Sequence, residues 1–84
     1  RQALAVNLRH ERYAEAASNH YMIGSVQSLQ GEEAAAIGSL QEALRYDRRM
    51  ERSLGIAKDY AALGLLYRRQ GDEAAALEAY RRSL

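Results

Sequence analysis

The stretch Gln30-Gly31-Glu32-Glu33-Ala34-Ala35-Ala36-Ile37 returns forty residues later as Gln70-Gly71-Asp72-Glu73-Ala74-Ala75-Ala76-Leu77. A glycine followed by two acids and three alanines is the punctuation of a helix–turn–helix. Glycine ends one helix at the position where a left-handed residue is favoured. The acids then open the next helix, at the positive end of its dipole. Sliding the whole chain by forty aligns residues 1–44 with 41–84, and fourteen of the 44 pairs are identical. Gly24 meets Gly64, Arg9-x-Glu11-Arg12 meets Arg49-x-Glu51-Arg52, and Ala43-Leu44 is echoed by Ala3-Leu4. A period of this length is the mark of a stacked repeat.

Each unit reads as two helices. β-Branched residues are few and no alternation of period two is sustained. Ala, Leu, Arg, Glu and Gln, which dominate the chain, all favour helix. Ile56, Tyr60, Leu63 and Tyr67 form one apolar stripe, and Ala76, Leu77, Tyr80 and Leu84 form another. Ile37, Leu40 and Leu44 repeat the second stripe in the first unit. The pattern predicts helices at about 1–8, 13–30, 33–49, 53–70 and 73–84. Asp72 and Ser53 are the candidate N-caps. The expected fold is therefore all-α: a solenoid, or α-α superhelix, of antiparallel helical hairpins. Residues 1–12 read as the tail of a preceding unit, 13–52 as a first unit and 53–84 as a second, the whole being a slice of a longer array.

Composition bounds the function. The 84 residues carry a net charge of +1, no Cys, no Pro and no Trp. That excludes disulfides and thiolate chemistry, and it provides no overall field for nucleic acid or an acidic membrane. The longest uncharged apolar run, Tyr60–Tyr67, is eight residues, well short of a membrane span. Leu, Ile and Val together number 16, a thin supply of core volume for a small domain, so neighbouring repeats or self-association are expected to complete it.

The second unit, Tyr60-x-x-Leu63-Gly64-x-x-Tyr67, Gly71-Asp72, Ala76-Leu77-x-x-Tyr80-x-x-Ser83-Leu84, resembles a tetratricopeptide repeat. Small residues stand where the two helices cross, at Gly64 and Ala76, with tyrosines and leucines packed around them. The first unit matches at Ile23, Gly24, Gly31, Ala36, Ile37, Ala43 and Leu44. It departs at His20 and Gln27, where the family has bulky apolar residues, and at Leu40, which replaces an aromatic. The usual period is about 34 residues, so the resemblance is to the longer-helix variety found in kinesin light chains and large signalling regulators.

The resemblance implies a non-catalytic scaffold for protein–protein interaction, in an intracellular, cytoplasmic setting. It implies a concave groove formed by the first helix of each repeat, which takes a peptide or a partner helix. Carried across residue by residue, the groove positions are Ser18, Tyr21, Met22, Ser25 and Ser28, then Lys58, Ala61, Ala62, Leu65, Arg68 and Arg69. Tyr21, Met22 and Leu65 are the expected anchors. The same residues could instead pack against another repeat. The Lys/Asn pattern with which some family members grip a terminal carboxylate is missing, since Tyr21, Ser25 and Leu65 stand at those positions. A structural spacer or self-association module is the alternative role.

No other chemistry is expected. No cofactor or metal site is expected either: His10 and His20 have neither a second His at helical spacing nor a Cys. His20 is expected to face the hairpin interior, with Gln27 as one candidate partner. No nucleophile elbow or phosphate loop is present. Arg45, Arg48, Arg49 and Arg52 share one face if their helix runs that far, but interleaved Asp47 and Glu51, and the helix C-terminus itself, account for them without nucleic acid.

Overall fold

The computed structural model describes the backbone of residues 2–84 and the side chains of residues 11–84. It contains four α-helices: α1 (Gln2–Leu29), α2 (Glu33–Arg49), α3 (Ser53–Arg69) and α4 (Glu73–Ser83). Sequential helices pack as antiparallel neighbours, α1 with α2, α2 with α3 and α3 with α4. The backbone extends 49 × 26 × 13 Å. A body this thin has no deep centre, so its core is the set of seams between helices.

All three turns have the same construction. The backbone N–H of Glu32, Arg52 and Asp72 bonds back to the carbonyl of Gln27, Asp47 and Tyr67, at 2.8, 3.0 and 2.9 Å. This six-to-one bond needs a left-handed residue just before it. Gly31 and Gly71 supply it with φ of 81° and 83°, and Glu51 supplies it with φ of 53°. Asp72 caps α4 as expected, its carboxylate accepting from the Ala75 N–H at 3.1 Å. Ser53 is no cap: it lies inside α3, and the N-cap position belongs to Arg52.

The break expected between residues 8 and 13 is absent, because α1 runs without interruption from Gln2 to Leu29. Arg9-His10-Glu11-Arg12 continues a helix, whereas the nearly identical Arg49-Met50-Glu51-Arg52 turns. One difference lies three residues beyond the turn, at Gly55. That glycine sits against the Asp47 carboxyl, where a Cβ would stand 2.6 Å from its carbon. Its counterpart forty residues earlier is Glu15, whose side chain could not take that place. The side chains of Ala3, Leu4 and His10 lie outside the described residues.

Small residues mark the helix crossings, as expected: Ala36 and Ala43 are fully buried and Ala76 nearly so. A Cβ on Gly64 would meet the Tyr80 ring at 2.8 Å, and one on Gly24 would meet Leu40 at 3.1 Å. Leu40 thus takes the place of Tyr80 in the first hairpin, over the corresponding glycine. The main cluster joins Ala36, Leu40 and Leu44 of α2 to Tyr60, Leu63 and Leu66 of α3, with Ala79 of α4. The stripe of α4 is only half used. Leu77 and Leu84, the counterparts of the covered Ile37 and Leu44, are exposed, since among the described residues no fifth helix covers them.

Candidate functional site

Helices α1 and α3 are both first helices of a hairpin, and between them lies a groove of about 540 Å³. Its lining includes Tyr21, Ser25, Ser28 and Leu29 of α1 and Lys58, Ala61, Ala62, Leu65 and Arg69 of α3. The floor is Gly24, Leu40 and Leu66. Such a surface, apolar beneath and edged with a few polar groups, is what a bound chain needs. Leu65 is 41 % exposed, which leaves its side chain free to meet a ligand.

Two cations flank the groove. Lys58 places its ammonium 4.2 Å from the centre of the Tyr21 ring, a cation–π contact that holds both side chains at one end. Arg69 donates to Ser28 Oγ at 3.2 Å at the other. Eleven residues of helix separate them, or about 16 Å along the axis. Among the described residues, the lining contains no carboxylate. The groove is therefore apolar along its floor and positive at both ends.

The structure gathers most of the positions carried across from the family. Tyr21, Ser25, Ser28, Lys58, Ala61, Ala62, Leu65 and Arg69 line the groove, and Ser18 lines a smaller cavity that shares Tyr21 and Lys58 with it. Met22 and Arg68 do not join them. Met22 is one residue past Tyr21, hence turned by about 100° around α1, and it projects into solvent at 65 % exposure. Arg68, one residue before Arg69, is turned by about 100° in the opposite sense around α3 and lines a notch beside Ala76, Leu77 and Tyr80.

The smaller cavity, about 90 Å³, reaches two carboxyl groups that sequence reasoning missed as a pair. Asp47 of α2 and Asp59 of α3 are 4 % and 1 % exposed. One oxygen on each, Asp47 Oδ1 and Asp59 Oδ2, has no hydrogen-bond partner. Arg52 approaches Asp47 at 3.8 Å. Burial first, and then the Asp47 carboxyl beside it, push Asp59 up to about 8, against the weaker opposing pull of Lys58 and Arg52. Two buried carboxyls side by side do not both ionise readily. The available signal was Asp59 itself, a charge one turn from both Ile56 and Leu63 on an otherwise apolar stripe.

The arginine run does not form one face. Helix α2 ends at Arg49, and each side chain is engaged separately. Arg45 pairs with Glu42, Arg48 donates to the Tyr60 hydroxyl, and Arg49 lies over the Tyr13 ring. His20 and Gln27 do not meet either. His20 stacks on Tyr46 with centroids 5.8 Å apart, and Gln27 Oε1 accepts from Ser39 Oγ at 2.7 Å. Two turns of one helix separate them, about 10 Å, and each finds its partner across the hairpin on α2.

Residues 57–84 match the family model of the tetratricopeptide repeat. The matched segment, one third of the chain, supplies one wall of the groove. Repeats of this family generally mediate protein–protein interaction and are typically non-catalytic. No curated protein and no solved structure matches the chain. Among the described residues no helix is long and apolar enough to cross a membrane.

Proposed function

We propose that this chain is a non-catalytic scaffold whose α1–α3 groove binds an acidic peptide or partner helix with apolar side chains. In this reading residues 13–52 are a second, more divergent tetratricopeptide unit, and the two units belong to the forty-residue variety of the family. The observation that carries the reading is the groove itself: an apolar floor with Leu65 exposed on it, and a cation at each end. Because its walls are two packed helices, binding orders little backbone and that cost stays low.

The charges specify the ligand further. Lys58 and Arg69 stand about 16 Å apart along the helix axis, a spacing that matches carboxylates about five residues apart in an extended chain, at roughly 3.3 Å per residue. Apolar residues between them face Tyr21 and Leu65. Fluorescence anisotropy with such a peptide tests this. Affinity should fall about tenfold or more for Tyr21→Ala or Leu65→Ala, as for an anchor residue, while circular dichroism shows helicity intact. Unchanged affinity in both variants would sink the assignment.

A further inference from the structure

A buried carboxyl pair is a costly way to fill the seam between α2 and α3, where apolar side chains of similar size often serve stability as well or better. Asp47 and Asp59 are 4 % and 1 % exposed, yet both line the cavity of about 90 Å³ beside the groove. Asp47 Oδ1 and Asp59 Oδ2 have no hydrogen-bond partner, so each is a buried acceptor in want of a donor. The two neighbouring cations do not supply one. Arg52 comes only to 3.8 Å from Asp47 Oδ1, beyond hydrogen-bonding distance, and the Lys58 ammonium is held over the Tyr21 ring. Burial and then the Asp47 carboxyl push Asp59 up to about 8, so at neutral pH the pair shares a proton and carries about one negative charge. Among the described residues no third Asp, Glu or His joins the pair, whereas a divalent cation such as calcium takes about six or more oxygen ligands. The complement of two acceptors and one negative charge is a small cation with several N–H donors. The cavity has the volume of about three water molecules at roughly 30 Å³ each, room for an ammonium and the start of its stem.

We propose that this cavity binds a primary ammonium group, with the Asp47 and Asp59 carboxyls accepting two of its N–H bonds and the Ser18 hydroxyl, on the same cavity, accepting the third. The source of the ammonium, and only that, rests on the groove reading. The cavity shares Tyr21 and Lys58 with the groove, so a chain lying in the groove reaches the cavity at the Lys58 end. An ammonium seated there stands next to a carboxylate that faces Lys58. Such a ligand has an acidic residue close to its free amino terminus, or close to a lysine. A buried pair of acceptors rejects a ligand that lacks the donors, because it leaves both oxygens unpaired. The cavity therefore specifies which end of an acidic chain enters first.

Titrating the isotope-labelled 84-residue chain with methylammonium chloride, against sodium chloride at equal ionic strength, tests the site without any peptide. Amide shifts of Ser18, Gly55 and Asp59 should saturate with methylammonium and not with sodium. Asp59→Asn should abolish the saturation while circular dichroism shows unchanged helicity. Shifts that match those in sodium chloride would overturn the site, leaving water or Lys58 itself as the donor to the pair. The acidic peptide then locates the source, on the wild-type chain, in three forms: amino terminus free, acetylated, and acetylated with a lysine at that end. A form that carries the ammonium should bind about tenfold or more tighter than the plain acetylated one, the worth of a hydrogen bond to a charged group. Whichever of the two gains names the amino terminus or the lysine. Equal affinity of all three forms would overturn the proposal. Failure of the groove reading looks different: no peptide binds, and methylammonium still saturates the cavity.

Discussion

The Cβ that Gly64 lacks would stand 2.8 Å from Cε1 of Tyr80. The relationship explains how a chain without Phe or Trp closes a hairpin: a tyrosine ring fills the space that a glycine leaves. Gly64→Ala drives a methyl into that ring. Overpacking of this kind costs roughly 1–3 kcal/mol, which outweighs the gain of about 1 kcal/mol from replacing glycine in a helix. Urea denaturation should show a net loss for Gly64→Ala. The counterpart Gly24→Ala should also lose stability, since its Cβ would meet Leu40 Cγ at 3.1 Å and the Ala36 carbonyl oxygen at 3.2 Å.

Asp59 gives stability a direction in pH. Its carboxyl is held up at about 8 in the fold, against 3.8 for the unperturbed group. Between those values the folded chain keeps a proton that the unfolded chain has released, so this group's contribution falls as pH rises from about 4 to about 8. Below that window it is constant, and above it the loss is complete. Asp59→Asn removes the titration and provides an amide donor facing Asp47. Thermal melts should show the variant gaining on the wild type as pH rises from about 5 to about 8. A difference that does not change with pH would contradict the placement of Asp59.

Glu51 occupies the left-handed position that Gly31 and Gly71 hold in the other turns, with φ of 53°. A side chain there costs about 1–2 kcal/mol, and the greater freedom that glycine gives the unfolded chain cancels part of the relief. Glu51→Gly should therefore stabilise the protein by about 0.5–1 kcal/mol, read as a higher urea midpoint at constant slope.

The groove separates two residues of similar size that the sequence grouped together. Leu65 lines it and Met22 does not. Leu65→Ala should weaken binding of the acidic peptide about tenfold or more. Met22→Ala should leave the affinity within about twofold, the level of a residue outside the contact, because its side chain projects into solvent.

Much of this architecture is legible in the residues. Gly31-Glu32 and Gly71-Asp72 announce two turns, and the spacing of Ile56, Tyr60 and Leu63 marks the buried face of α3. The third turn is not legible locally, because Arg9–Arg12 and Arg49–Arg52 differ by one residue and adopt different structures. The turn that forms is accompanied by a close fit of Gly55 against Asp47, a contact between two helices. The groove positions transfer well where a residue points straight at the neighbouring helix, as Tyr21 and Leu65 do. They fail at Met22 and Arg68, where one step along a helix rotates the side chain out of the site. The Asp47–Asp59 pair was hidden because twelve residues separate its members, and only the return of α3 along α2 brings them together.

The most direct measurement of groove binding is a chemical-shift titration of the isotope-labelled chain with the acidic peptide. Amide shifts should concentrate on Tyr21, Ser25, Lys58, Ala61, Leu65 and Arg69, with Gln41, Ala75 and Glu78 on the opposite face unmoved. Shifts centred on Gln41, Ala75 and Glu78, or no shifts at saturating peptide, would contradict the assignment of the α1–α3 groove.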